Sequence, residues 1–470
     1  MYNKNMHIHF MGIGGIGMSG IAKILILQGY RVSGCDSLVD QETIKDLIKL
    51  GCTIAPHHKH DICLDSSIDT LVYSTDVLKT NYGTIPFEMQ KAKDRNIPVI
   101  LRATMLAEIM RPKHSIAIAG SHGKTTTSSL LSHLLLYAKL DPTIIVGGYI
   151  HSIKSNARHG KSDLLVAEAD ESDRSFLQLP KTFSIVTNIN REHLDVYKDL
   201  EDIKQTFLQF LKQIPFYGKN VICLDDPGIQ SIIPEITTPY ITYGQHKNAD
   251  MQIQNIKLLD DQSTFDLFDS LQNKHIGTVS ISLPGIHNVL NATSVVVIGQ
   301  ILKIPLGTLQ DALSSFTGVD RRFTYKGVAR ESKALIFDDY GHHPTEIYHT
   351  LQVARKKAKN RLVLIFQPQR FTRTKHLWNE FVELFSTSNI DQLIITDIYP
   401  ASEQPIADIS SQKLVEAIKL KNPNAAVFYY PLEDDGQEII NHLKNYLKKE
   451  DLVLLQGAGK VNKLTKALLS

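Results

Sequence analysis

The stretch GSHGKTTT, Gly120 to Thr127, constrains this chain more than any other. Before it runs SIAIA (Ser115 to Ala119), a short apolar run that reads as a buried strand. After it comes SSLLSHLLLYAKL, apolar at helical spacing. A strand that enters a glycine turn and leaves as a helix turns backbone N–H groups and the positive helix end toward an anion. Lys124 adds a charge, and Thr125 a hydroxyl suited to Mg2+. The position five before Gly123 is Ile118, so the loop is the shorter G-x-x-G-K-T form. An ordinary helix cap would explain the threonines but not the lysine. The stretch therefore predicts a nucleotide-phosphate site made by Gly120, Ser121, His122, Gly123, Lys124, Thr125 and Thr126.

Such a loop needs domains around it, and 470 residues provide for about three at ~150 residues each. With 43% hydrophobic and 21% charged residues the composition is that of an ordinary soluble globular protein. A net charge of +2 argues against a nucleic-acid surface, and the basic cluster RKKAKNR (Arg355 to Arg361) reads as the solvated end of a helix. Four cysteines (Cys35, Cys52, Cys63, Cys223) lie far apart with no C-x-x-C. Neither a disulfide framework nor a zinc site is indicated, which fits a reducing cytoplasm. MYNKNMHIHF has no long apolar segment and no apolar run is long enough to span a bilayer, so neither secretion nor membrane spanning is expected.

The chain opens with a second glycine motif. A strand from His7 to Met11 meets Gly12, Gly14, Gly15 and Gly17, then an apolar helix, then a strand ending at Asp36. This satisfies G-x-G-x-x-G with an acidic residue about 20 positions on, the dinucleotide pattern. What these residues guarantee is a close backbone approach to a diphosphate, and a sugar nucleotide presents the same group. A strand Leu71 to Val77, a helix around Pro86 to Arg95, a strand Ile97 to Leu101 and a helix Arg102 to Met110 follow. This alternation predicts a parallel sheet. The run HHKH (His57 to His60) reads as a solvated loop rather than a metal site.

In the middle segment DLLVAEADESD (Asp163 to Asp173) ends a buried run in carboxylates, and FSIVTNINREHLDVY delivers His193 at a further strand end. Glu168 and His193 beside a phosphate loop suit a cation. His287, Asn288 and Asn291 fall on one turn of a helix within Leu283 to Leu302, where amide side chains suit an adenine edge. The last segment starts near Arg321-Arg322-Phe323 and places apolar strands before helices, predicting a second parallel α/β unit. Asp339, Tyr340, His342, His343, Arg370, Arg373 and the turn Gly457 to Lys460 collect at the ends of its strands, where such sheets bind ligands. Two arginines at i, i+3 beside aromatics suit a carboxylate clamp.

The ordered set GIGGIGMSGIA, RATMLAEIM, AGSHGKTTT, AEADESD, TNINREHLD, FLKQIPFYG, PGIHNVLNA, RRF, DDYGHHPTE, QPQRFTRT and LLQGAGK resembles the Mur ligase family along essentially the whole chain. The resemblance implies an α/β fold in three domains. A Rossmann-like N-terminal domain (1–110) would bind UDP-N-acetylmuramate, a P-loop-type central domain with a mixed sheet (111–320) ATP and Mg2+, and a Rossmann-like C-terminal domain (321–470) the incoming L-alanine. It implies a cytoplasmic ligase, monomer or weak homodimer, that forms an acyl phosphate and then an amide during peptidoglycan precursor synthesis. Its partners would be those small molecules, with no nucleic acid and no membrane.

Carried over by position, the catalytic set is Lys124, Glu168, His193 and His343. Thr125, Glu168 and His193 would surround Mg2+. Asn288, Asn291, Arg322, Asp339 and Tyr340 would join the phosphate loop around ATP. Gly14, Gly15, Gly17, Asp36, Ser74 and Arg102 would hold the UDP-sugar, and Arg370, Arg373 and His343 the alanine. The chain departs from the family pattern at Asp76, Glu192, Ile286, Gln369 and Lys460. Some sister ligases carry a carbamylated lysine beyond the metal histidine; Phe207 stands there in this chain, and Lys204 is out of phase. Three other readings compete: the sibling that recycles whole peptides, a nicotinamide oxidoreductase built on the first glycine motif, and a nucleotide-binding scaffold that ligates nothing.

Overall fold

The computed structural model describes residues 5–56, 67–80, 85–401, 403–433 and 436–470. The run HHKH and Cys63 lie outside the described residues. Among the described residues the chain forms three sheets, of five, ten and six strands.

The first sheet is wholly parallel, in the spatial order Thr53–Ala55, Arg31–Cys35, His7–Met11, Thr70–Tyr73, Val99–Leu101. It has the Rossmann-like order in which the first strand is central and the crevice opens beside it. The strand expected to reach Val77 stops at Tyr73, and Thr75–Thr80 is helical instead. The reason is local. Ser-Thr-Asp is a helix-start pattern, and the Val77 N–H donates to the Ser74 carbonyl at 3.1 Å.

The second sheet is mixed. Its parallel centre runs Thr143–Ile150, Leu164–Glu168, His114–Ala119, Phe183–Val186, Lys219–Cys223 and Tyr240–Gly244. Antiparallel strands extend both sides: Ser155–Arg158 at one, Ser263–Asp269 and Lys274–Ile281 beyond Met251–Leu258 at the other. The third sheet is parallel from Leu335–Asp339 through Leu452–Gln456, Leu362–Phe366, Gln392–Ile395 and Val427–Tyr429. Its edge strand Thr324–Val328 is antiparallel, so the last unit is not purely parallel as expected. A short connection from Val328 to Leu335 leaves no room for the helical crossover that parallel pairing requires.

The three units are not joined alike. One continuous core runs from Ile8, Phe10 and Ile21 of the first sheet's layers into Ile116, Leu131, Val166 and Phe207 of the second. Helix Ile16–Leu27 packs directly on the second sheet's edge, where the Asn156 amide donates to the Ile16 carbonyl at 2.6 Å and Lys23 Nζ to Ser155 Oγ at 2.7 Å. The third unit has its own two cores, one on each face of its sheet. It meets the second unit through the pairs Glu346–His122, Arg370–Asp195 and Arg373–Glu192, among other contacts. No helix among the described residues is long and apolar enough to cross a membrane.

The first glycine loop closes down on its neighbouring strand. The N–H groups of Gly12 and Ile13 both donate to the Cys35 carbonyl, at 2.8 and 3.1 Å. A Cβ on Gly34 would stand 2.6 Å from Ile13 Cδ1 and 2.8 Å from the Phe10 carbonyl oxygen, so the position admits only glycine. Gly34→Ala is expected to destabilise the chain by about 1–3 kcal/mol, read as a lower unfolding midpoint; an unchanged midpoint would mean that loop and strand can part without cost.

Candidate active site

The phosphate loop leaves strand His114–Ala119 through Gly120 at φ +135° and enters helix Lys124–Tyr137 through Gly123 at φ +84°. A Cβ on Gly120 would lie 2.1 Å from Thr187 Oγ1, and one on Gly123 2.8 Å from Asn291 Oδ1. Both conformation and space therefore require glycine. Lys124 folds back over the loop. Its Nζ donates to the carbonyls of Gly120 (2.6 Å) and Ser121 (3.2 Å) and to the Glu171 carboxylate (2.8 Å). Burial works to lower the Lys124 pKa, but Glu171, Asp170 and Glu168 outweigh it and hold the ammonium charged.

Glu168 ends strand Leu164–Glu168 and collects three donors: Thr125 Oγ1 at 3.1 Å, Ser128 Oγ at 3.4 Å and the Gly147 N–H at 3.0 Å. His193 is not at a strand end. It lies in the loop well past Val186, at φ +52°, with Nε2 3.7 Å from Glu171 and 3.6 Å from Glu192. Burial lowers its pKa, so the ring is neutral at pH 7. Thus Thr125 meets Glu168 while His193 faces Glu171, farther along the acidic run. Among the described residues no three His, Cys, Asp or Glu side chains are grouped as a ready-made metal cage.

A cavity of about 350 Å³ opens beside the loop between helices Ile286–Ile301 and Pro344–Lys357. His122, Gly123, Thr126, Asn288, Asn291, Arg322 and Asp339 all line it. Asp339 is saturated by the N–H groups of Phe323 (2.9 Å) and Gly341 (2.8 Å) and by Gln456 (2.9 Å). Tyr340 is not among the lining residues; its ring lies 5.0 Å from the Arg321 guanidinium and 5.4 Å from that of Arg322.

Arg373 and Arg370 sit where the third unit faces the His193 loop, and both already hold carboxylates of the chain. Arg373 grips Glu192 through Nε at 3.2 Å and Nη2 at 3.0 Å, with Nη1 on the Gln369 carbonyl at 2.6 Å. Arg370 bonds Asp195 through Nη2 and Glu403 through Nη1 at 3.0 Å. The gap among these groups is only about 10 Å³. His343 caps helix Pro344–Lys357: its Nδ1 accepts the Thr345 N–H at 3.2 Å, so the ring proton is on Nε2. Burial, chiefly, brings its pKa down to about 4. The Lys460 N–H is held by Gln367 Oε1 at 2.6 Å.

At the first glycine loop, Asp36 accepts the Gly14 N–H at 2.9 Å and the Leu38 N–H at 2.9 Å. Arg102 lies over Gly17, where a Cβ would come within 3.0 Å of Nη1, and pairs with Asp170 at 3.3 Å. Gly15 is exposed and Ser74 half-buried. This arrangement brings the first loop to the acidic run beside Lys124.

Sequence reasoning missed the carboxylates that complete these pairs: Glu171, Glu192 as a partner of Arg373, Asp195, Glu346 and Glu403. Two of them left a signal: Glu171 in the acidic run Asp163 to Asp173, and Glu346 as a Glu three residues into a helix start, as in a capping box.

Residues 7–114 match the description "Mur ligase family, catalytic domain", residues 118–299 "Mur ligase middle domain" and residues 321–459 "Mur ligase, glutamate ligase domain". The chain is 44% identical over 470 residues to the UDP-N-acetylmuramate–L-alanine ligase of Syntrophus aciditrophicus, covering 100% of this chain and 94% of that one. It is 45% identical over 464 residues to the ligase of that name from Desulfotalea psychrophila, covering 98% and 97%. Among solved structures, the UDP-N-acetylmuramate–alanine ligase of Thermotoga maritima superposes with a TM-score of 0.78 at 25% identity, over 99% of this chain and 98% of that one. A murein peptide ligase of Psychrobacter arcticus shares the fold, with a TM-score of 0.72 at 23% identity over 99% and 98%.

Three histidines are held neutral, mainly by burial: His287, which lines the cavity, and His342 at about 3 and His343 at about 4, against 6.5 when free. The unfolded chain takes up these protons first as pH falls. Their contribution to stability is therefore complete above pH 6.5 and is lost on going down toward 4 and 3. The unfolding midpoint is expected to drop across that window, less steeply in His287→Gln; parallel profiles for the two proteins would contradict the assignment of His287.

Proposed function

The chain belongs to the Mur ligase family, and from that premise we propose that it joins L-alanine to the lactyl carboxylate of UDP-N-acetylmuramate at the expense of ATP, in peptidoglycan precursor synthesis. The observation that carries the reading is the convergence of a phosphate loop, an acidic run and a pair of arginines contributed by different units of the chain.

Water alone does not drive amide formation from a carboxylate and an amine. The γ-phosphoryl group passes first to the lactyl carboxylate, and the alanine amine then displaces phosphate from the acyl phosphate. The first step brings anions together: at ~4 Å and an effective dielectric of ~20 each pair of unit charges repels by about 4 kcal/mol. Lys124 is the main cation the loop has for this. It exchanges Glu171 for phosphate, while the N–H groups of Gly123, Lys124 and Thr125 face the same oxygens. Thr125, Glu168 and His193 provide a hydroxyl, a carboxylate and an imidazole, and His193 Nδ1 is buried without a partner among the described residues. They would hold Mg2+, which when bound neutralises triphosphate charge.

The cavity lined by Asn288, Asn291 and Arg322 takes the adenosine half of ATP. Gly14, Gly15, Gly17 and Arg102 take the diphosphate and sugar on the first unit, from which Arg102 reaches Asp170 beside the reaction centre. Arg370 and Arg373 take the amino-acid carboxylate, which must compete with Asp195 and Glu192 for them. His343, with its proton on Nε2, donates toward this place rather than accepting from it.

ADP release with ATP and Mg2+ is expected only when UDP-N-acetylmuramate and L-alanine are both present. Release with the sugar nucleotide and a peptide, but not with alanine, would move the chain to the recycling sibling. Lys124→Ala is expected to abolish this release in a chain that still folds, at a lower melting temperature because buried Glu171 loses its partner; turnover retained in that variant would overturn the role given to the loop.

A further inference from the structure

Glu346 touches three parts of the site at once. It is the third residue of helix Pro344–Lys357, and its Oε2 accepts the N–H groups of His342 at 3.0 Å and His343 at 3.4 Å, closing the capping box. Its Oε1 stands 3.2 Å from His122 Nδ1 and 4.0 Å from Arg322 Nη1. A helix cap needs only the first pair of bonds. The second oxygen reaches out of the third unit into the phosphate loop.

His122 is well fixed to receive it. Its N–H donates to Asn188 Oδ1 at 2.9 Å, and its carbonyl accepts from Thr187 Oγ1 at 2.6 Å and Asn188 Nδ2 at 3.1 Å. Burial opposes ionisation of Glu346, but the bond from His122 and the nearby positive groups hold its carboxyl well below the usual range. An ionised carboxylate only accepts, so His122 carries its proton on Nδ1. The His122 ring lies 4.6 Å from that of His343, whose Nε2 is 3.8 Å from Glu192, the partner of Arg373. A continuous line of contacts thus runs from the phosphate loop to the arginines.

We propose that Glu346 is a positioning residue for the reaction: through His122 it fixes the phosphate loop against the third unit, and through the start of its own helix it fixes His343 beside that loop. The proposal rests on the ligase reading of the site. Its physical content is registration. The third unit has a core of its own, so its placement over the nucleotide depends on polar contacts, and this one bears directly on the loop that cradles phosphate.

The test uses the full chain as Glu346→Ala, Glu346→Gln, His122→Ala and the double variant Glu346→Ala/His122→Ala. ADP affinity is measured by calorimetry, kcat and KM by ADP release with all substrates, and melting temperature alongside. Glu346→Ala and His122→Ala are each expected to lower kcat by about 100-fold, with the double variant no worse than either. Glu346→Gln should recover most of the loss, because its amide oxygen still accepts the helix N–H groups and its NH2 can meet the other His122 tautomer. Costs that multiply in the double variant would overturn the proposal. So would a lower melting temperature in Glu346→Ala with kcat unchanged, since that is the mark of a cap alone. Were the parent chain to release no ADP, the ligase reading would fall by itself. The positioning role would then be decided by ADP affinity, expected to weaken about tenfold in both single variants, and overturned if it does not change.

Discussion

A lysine ammonium buried at the start of a helix cannot stand alone, and much of this structure is arranged around that fact. Lys124 is satisfied by two carbonyls of its own loop and by Glu171, which projects from the acidic run after the neighbouring strand. Glu171 lies 3.7 Å from His193, and His193 lies between it and Glu192. Glu192 in turn holds Arg373 of the third unit. Charge is thus paired at both ends of this line, Lys124 with Glu171 and Arg373 with Glu192, with the neutral His193 ring between the two carboxylates. Glu171 and Glu192 are buried, so removing Lys124 or Arg373 leaves an uncompensated carboxylate in a medium of low polarity. A bound triphosphate enters this series as one more set of anions, with the existing carboxylates as its competitors.

The way the units are joined complements that network. The first two share a continuous apolar core, which is non-directional and holds them as one body. The third packs its own cores and contributes Arg370, Arg373, His343 and Glu346 to a polar boundary. Ion pairs at such a boundary exchange partners with ligands far more readily than buried leucines could. Substrate groups of matching charge can therefore replace internal contacts one for one, which a hydrophobic seam would forbid.

Much of this was legible in the chain. The two glycine loops with their flanking strands and helices follow from local patterns placed on an α/β frame, whereas the expectation that Asn288, Asn291 and Arg322 meet the phosphate loop comes from the family resemblance. The misreadings were also local. Ser-Thr-Asp turned an expected strand into the helix Thr75–Thr80, and a short connection made Thr324–Val328 antiparallel. The sequence showed Arg370 and Arg373 as unoccupied cations. The structure gives each a carboxylate partner from a loop almost two hundred positions away, and no periodicity or spacing could announce that.

By itself the sequence determined what depends on neighbours along the chain: where glycine must take positive φ at Gly120 and Gly123, which helix begins at Lys124, and which residue types are available for phosphate, carboxylate and cation. Only the tertiary structure decided which charge meets which. That Glu168 takes Thr125 rather than His193, that Glu192 takes Arg373 and that Glu346 takes His122 are outcomes of packing three units around one cleft. The reason is physical. Backbone conformation is set by sterics and hydrogen bonds within a few residues, whereas the strength of an ion pair depends on distance and burial, and both exist only once the chain has folded.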